Sequence, residues 1–209
     1  MYETLRIASA AALVAAASVA HAGVLFDSTA FTSINDGTSP RQANMGVGQT
    51  LAFTAGPQAI GSFGFLLTAN ADTTFKFLIF LGKDQKLFEI NRTATTALDH
   101  TLFLSPEFSF VIPDINQYTF AVVADKAFSF DYDTQSPPLT QNGITEIQGQ
   151  NANYIGFANP LFDRNGLAEI KMVLNSPALP VPEAATWALF GLGLMAVAGA
   201  VSGNVRKRA

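Results

Sequence analysis

The chain of 209 residues contains no cysteine, and only 13% of its residues are charged. The absence of cysteine excludes a disulfide framework, a thiolate zinc site and a cysteine nucleophile. Soluble domains usually contain about 25% charged residues, so the low fraction indicates membrane-length apolar segments or an unusually apolar fold. The formal net charge of −4 argues against a nucleic-acid partner, because such a partner requires a basic surface.

Histidine is also scarce, with His21 and His100 as the two in the chain. No serine lies in a G-x-S-x-G motif, so a Ser-His-Asp triad is not indicated, and we expect His100 to be a solvated turn residue. The sequence therefore predicts a protein that is not an enzyme. One alternative stays open, a secreted carbohydrate-active enzyme with two carboxylates, since only geometry across strands would reveal that pair.

The N-terminus has the order of a secretory signal peptide. An apolar run of 14 residues follows Arg6 and ends in Ala20-His21-Ala22, which places small residues at the A-x-A cleavage positions. We predict that residues 1–22 form the signal and that signal peptidase cleaves after Ala22, leaving Gly23 as the first residue. A membrane anchor is the alternative, but the run is shorter than the roughly 20 residues of a span.

A second apolar segment lies near the C-terminus. No charge occurs from Ala184 to Val201, and Arg206-Lys207-Arg208 follows. We predict a transmembrane helix over residues 184–203, with Trp187 near the outer interface and the basic tail 206–208 in the cytoplasm. A buried helix of a soluble protein is the alternative, although such helices rarely lack a polar face over five turns.

The residues before this span carry a family resemblance. Val181-Pro182-Glu183-Ala184, with Trp187 shortly after, opens a segment (motif 181–187, whole signal 181–209) that resembles the PEP-CTERM sorting signal of Gram-negative bacteria. The resemblance implies an exosortase-type membrane protease as processing partner and a final location at the cell surface or in the exopolysaccharide matrix. Ala184 stands where the family's motif has its second proline. A permanent single-pass anchor is the alternative.

The body between these segments is acidic and rich in phenylalanine. Residues 23–180 contain 14 acidic and 8 basic residues and 17 of the 18 phenylalanines. Many phenylalanines alternate with other residues, as in Phe63-Gly64-Phe65, which is typical of half-buried strands. We predict an all-β domain over 23–174, a single antiparallel β-sandwich of jelly-roll type, with a barrel as the alternative, followed by a Pro-rich linker over 175–182.

Short alternating runs between turn residues define the predicted strands. They are 24–31, 49–54, 59–68, 74–81, 86–92, 101–104, 108–112, 117–124, 127–132, 154–158 and 167–174. Two long loops are predicted at 34–48 and 133–151, and Asn165-Gly166 is typical of a type I′ hairpin turn. Long loops on a sandwich commonly carry binding residues.

Two groups of side chains are candidates for binding. Asp125, Asp131 and Asp133 lie near the predicted 133–151 loop, and their carboxylates suit a structural calcium ion; otherwise they are turn and edge residues that blunt a strand end. Apart from this ion, no cofactor is predicted. Tyrosines and asparagines form the second group, a candidate glycan-binding face. Its members are Tyr118, Tyr132, Tyr154, Asn151 and Asn153.

These features predict an exported surface or matrix protein with a structural or adhesive role and weak glycan contact. The expected partners are signal peptidase, an exosortase-type protease, the membrane before processing, and exopolysaccharide.

Overall fold

The computed structural model describes residues 23–30, 37–82, 84–133, 138–152, 157, 164–165 and 169–178. Within these residues all regular secondary structure is β-strand, and residues 22–177 form one compact unit. The strands are β1 (Val24–Asp27), β2 (Gly37–Arg41), β3 (Gly46–Phe53), β4 (Gln58–Ile60), β5 (Ser62–Ala69), β6 (Thr73–Leu81), β7 (Gln85–Ala94), β8 (Leu98–Leu104), β9 (Phe110–Ile112), β10 (Gln117–Ala124), β11 (Phe128–Asp133), β12 (Thr140–Gln141), β13 (Ile144–Ala152), β14 (Arg164–Asn165), β15 (Glu169–Ile170) and β16 (Met172–Asn175).

The strands form two large antiparallel sheets. The first sheet runs β1-β16-β5-β11-β15, with β2 also paired to β11 and β8 also paired to β5. The second sheet runs β12-β13-β3-β10-β6-β7, with β14 also paired to β13, and β4 and β9 form a separate ribbon. In the described part of the chain, β7 and β8 are therefore edge strands of different sheets.

Phenylalanine side chains join the two sheets face to face. The ring of Phe63 on β5 lies 5.5 Å from that of Phe77 on β6 and 5.2 Å from that of Phe120 on β10, both nearly edge-on. Each buried side chain of this size contributes about 1.5–3 kcal/mol to folding. The predicted all-β antiparallel sandwich is confirmed, and its assignment to the jelly-roll type stays a prediction.

The centre of the second sheet is buried on both faces, contrary to the predicted half-buried strands. On β10, Phe120 and Val122 face the main core, whereas Ala121 and Val123 belong to a second cluster on the outer face. Phe157, from the connection between β13 and β14, packs against this second cluster. Because Phe157 covers the outer face of this sheet, both faces of β10 carry apolar side chains.

The prediction of long loops at 34–48 and 133–151 is wrong, because β2, the start of β3, β12 and most of β13 lie there. These strands are short or polar, and β2 contains Pro40, which is tolerated because β2 is an edge strand. Strand 117–124 was predicted with the bounds that the structure shows. Apart from Phe157, which lies in a turn, the predicted strand 154–158 is outside the described residues, as is Gly166 of the predicted hairpin.

Candidate functional site

The two ends of the sandwich body lie side by side. The Ser176 N–H donates to the Gly23 carbonyl at 2.8 Å, and the Gly23 N–H donates to Ser176 Oγ at 2.9 Å. The Gly61 N–H donates to the Asn175 carbonyl at 2.8 Å. Asn175 was predicted as the first residue of the linker, but it is the last residue of β16. The first residue of the predicted mature chain is thus fixed beside the last residues of the sandwich.

The residues of the two targeting segments lie outside the described residues, with Gly23 as the exception. They are Ala20 and Ala22 of the signal cleavage site and Val181, Pro182, Glu183, Ala184, Trp187, Arg206, Lys207 and Arg208 of the sorting signal. The predicted span 184–203 falls in the same part of the chain. Among the residues that are described, none belongs to a helix long and apolar enough to cross a membrane.

The three candidate calcium ligands make separate contacts. Asp125 accepts a hydrogen bond from the Thr74 N–H at 2.8 Å. Asp131 Oδ1 lies 2.9 Å from His100 Nδ1 and accepts a hydrogen bond from Thr38 Oγ1 at 3.1 Å. Asp133 is buried and lies opposite Glu169 in the first sheet.

No group of three or more His, Asp or Glu side chains in the described ranges is arranged to hold a metal ion. Calcium binding by Asp125, Asp131 and Asp133 therefore stays a prediction from the sequence.

A pair of buried carboxyls links the two sheets near Asp133. Glu146 on β13 of the second sheet is only 2% exposed, and it is hydrogen-bonded to Glu169 on β15 of the first sheet. Burial and the charge of Glu169 raise the pKa of Glu146 to about 8. Burial and the charge of Asp133 also raise the pKa of Glu169. Glu146 Oε1 and Glu169 Oε2 are buried without a hydrogen-bond partner. Because a hydrogen bond between two carboxyls needs a proton on one of them, we expect the pair to share one proton at neutral pH.

His100 forms an exposed pair with Asp131. Its Nδ1 lies 2.9 Å from both carboxylate oxygens of Asp131, which raises the pKa of His100 through hydrogen bonding and charge. Its Nε2 faces the Asp99 carboxylate at 3.8 Å. A catalytic triad would instead need a hydroxyl nucleophile at that second nitrogen. The predicted turn position is wrong, since His100 lies in β8, with a φ of 45°.

The predicted glycan-binding tyrosines do not form one exposed face. Tyr118 is buried, packs edge-on against Phe53 and donates a hydrogen bond to Asp114 at 2.6 Å. Tyr132 packs against the main core. Tyr154 and Asn153 lie outside the described residues. A role for Tyr118 in stacking against a sugar is therefore wrong, because its ring is not accessible.

A groove of about 320 Å³ lies where β7 and β8 meet. We call it the β7–β8 groove. It is lined by Arg92, Thr93, Ala94, Thr95, Thr96, Leu98, Thr101, Leu102, Phe103 and Leu104. Arg92 fixes one side of it, since its Nη1 donates to the Leu104 carbonyl at 2.7 Å and its guanidinium lies 4.7 Å from the Phe103 ring centre.

The C-terminal segment of the chain is similar to a known protein-sorting motif. The family model of the PEP-CTERM protein-sorting motif matches residues 180–206. The chain carries a PEP-CTERM sorting motif. The motif indicates an exported protein with a C-terminal membrane-anchoring sorting signal, and it implies an exosortase-type processing partner. No curated protein and no solved structure matches the chain.

Sequence reasoning missed both the carboxyl pair and the β7–β8 groove. Glu146 lies in a polar segment that was predicted to be a loop, although Ile144 two residues earlier is a weak sign of strand alternation. The arginine and threonines that line the groove are visible in the sequence, but their position beside one another depends on β7 and β8 being edges of different sheets. That relationship follows from topology and not from local pattern.

Proposed function

We propose that the chain is a structural or adhesive protein of the cell surface or extracellular matrix. Its β-sandwich is the delivered part, and its PEP-CTERM motif is the delivery signal. The motif at residues 180–206 carries this proposal. An exosortase-type enzyme cleaves near Pro182-Glu183, and the sandwich is released or attached without the apolar tail.

The pairing of the chain ends supports delivery of the sandwich as a unit. Gly23 and Ser176 are joined by hydrogen bonds and by the β1–β16 pairing. Removal of residues before Gly23 or after the linker therefore leaves every described strand in place. The phenylalanine core between the sheets makes the body self-contained, because its large buried side chains come from strands of both sheets, among them Phe63 on β5, Phe77 on β6 and Phe120 on β10.

Intact-mass analysis of the protein recovered from producing cells tests this proposal. We expect an N-terminus at Gly23 and a C-terminus close to residue 182. The Ala184→Pro variant, which restores the second proline of the family's motif, should increase the processed fraction because proline favours the extended backbone that fits a protease groove. A mature chain that still ends at Ala209 would contradict processing.

A carbohydrate-active enzyme with paired carboxylates is the second candidate. Glu146 and Glu169 form a carboxyl pair, but they are hydrogen-bonded to each other and Glu146 is buried. Glycosidases keep their two carboxyls about 5–9.5 Å apart around the substrate. A glycan array combined with a hydrolysis screen distinguishes the candidates, since an adhesive protein retains glycan and releases no product.

A further inference from the structure

We infer that the β7–β8 groove binds a uronic-acid unit of an acidic polysaccharide, with Arg92 holding the sugar carboxylate. This inference rests on the proposed function, because it names the ligand class for an adhesive surface protein. The groove differs in position and composition from the tyrosine face predicted from the sequence. Its volume of about 320 Å³ lies at the lower end of the range for small-ligand sites, about 300–1,000 Å³.

Arg92 provides a preorganised charge. Its contacts with the Phe103 ring and the Leu104 carbonyl hold the guanidinium in place, so little side-chain entropy is lost when a ligand binds. The bond to Leu104 uses one of its five N–H donors. The remaining donors match a carboxylate, which guanidinium groups bind with two parallel hydrogen bonds. Arg92 is the charged residue among the groove's lining residues.

Hydroxyl groups and strand edges complete the polar lining. Thr95 and Thr96 are exposed in the turn between β7 and β8, and Thr93 and Thr101 flank them on the two strands. The Thr93 hydroxyl is hydrogen-bonded to that of Thr74, and the Thr101 hydroxyl donates to the Asp99 carbonyl. Thr95 and Thr96 therefore supply the hydroxyls for the sugar, and each offers one donor and two acceptor sites. Because β7 and β8 are edge strands, outward backbone N–H and C=O groups are also available.

The lining favours a saccharide over a peptide strand. A peptide added to a sheet edge needs a continuous row of backbone groups and alternating side-chain pockets. Here the cavity ends at a turn that contains Thr95 and Thr96, and its charged group is the single guanidinium of Arg92.

Binding of alginate oligomers, which are polymers of uronic acids, to the mature exported protein tests the inference. Calorimetry at about 0.15 M salt, with dextran oligomers of equal length as the neutral probe, separates charge recognition from general sugar binding. We expect alginate to bind and dextran to bind at least tenfold more weakly. Arg92→Gln should weaken alginate binding at least tenfold, and Thr95→Val with Thr96→Val should weaken it severalfold.

Arg41→Gln is the matched control. The Arg41 guanidinium also lies 4.7 Å from an aromatic ring centre, that of Phe130, but Arg41 does not line the groove, so alginate binding should be unchanged. The double variant Thr95→Val with Thr96→Val changes only an exposed turn. It tests the inference if Arg92→Gln does not fold. Absent alginate binding, equal binding of dextran, or equal loss in Arg41→Gln would overturn the inference. Intact mass of the same preparation reports separately whether the sorting proposal fails.

Discussion

Gly23 and Ser176 are joined by hydrogen bonds in both directions although 153 residues separate them. The predicted signal-peptidase site directly precedes Gly23, and Ser176 is the second residue of the predicted linker. The chain therefore enters and leaves the sandwich at one place. Loss of either flanking segment removes none of the described strands.

Close packing at this place makes Gly61 sensitive to substitution. A Cβ at Gly61 would overlap the Pro177 backbone. We expect Gly61→Ala to lower the free energy of unfolding by about 1–3 kcal/mol, the usual cost of overpacking, and to expose the linker to protease. Urea unfolding and limited proteolysis measure the two effects.

Gly82→Asn is the control for that substitution. Gly82 has a φ of 61°, and a Cβ added there would meet no atom within 4 Å; asparagine tolerates this conformation. We expect nearly unchanged stability for this variant. Equal stability of Gly61→Ala and the parent protein would show that the packing against Pro177 does not hold in solution.

The Glu146–Glu169 pair predicts that the protein is more stable in mild acid than in mild base. The pKa of Glu146 is raised to about 8 in the folded state, so the folded chain binds more protons than the unfolded chain between about pH 4.5 and pH 8. By linkage, the stability that this proton provides is lost as the pH rises through that window, at about 1.4 kcal/mol per unit of pKa shift. Thermal melts between pH 5 and pH 9, in buffer with a chelator, measure the loss.

Three variants assign this pH dependence to the pair. Glu146→Gln keeps the shape and removes the titration, so it should flatten the pH profile and raise stability at pH 9. Glu89→Gln should not, because hydrogen bonds from Lys76 and Lys86 lower the pKa of Glu89 even though burial acts to raise it. His100→Asn accounts for the His100–Asp131 pair, which also favours the folded state below its raised pKa. An unchanged slope in Glu146→Gln would refute the assignment.

Calcium binding by Asp125, Asp131 and Asp133 has its own test. An ion that binds only the folded chain raises the melting temperature with its concentration. The hypothesis predicts a rise in the melting temperature in millimolar calcium and its loss in Asp131→Asn. An unchanged melting temperature of the parent protein in calcium would contradict the hypothesis.

The fold class could be predicted because the phenylalanine alternation is local. Phe63 and Phe65 follow the period of a strand, and their strand, β5, lies at the centre of the first sheet. The polar strands β2 and β13 could not be predicted, since their stability comes from pairing with β11 and β3 and not from their own apolar pattern.

The sorting motif could also be predicted from a local pattern, whereas the carboxyl pair and the β7–β8 groove could not. Val181 to Trp187 and the tail 206–208 are each a short continuous stretch of sequence. The motif could therefore be predicted, and the family match over residues 180–206 confirms it. Glu146 and Glu169 are brought together only when the two sheets face each other. Arg92 and Phe103 likewise belong to different sheets, so no local sequence pattern predicts the groove.

Expression of residues 23–177 alone tests most directly the claim that the delivered object is a self-contained sandwich. Far-ultraviolet circular dichroism, size-exclusion chromatography and a thermal melt are the measurements. We predict a sheet spectrum, a single monodisperse peak and a cooperative unfolding transition. A helical or unfolded spectrum, or a fragment that precipitates without its flanking segments, would contradict the account.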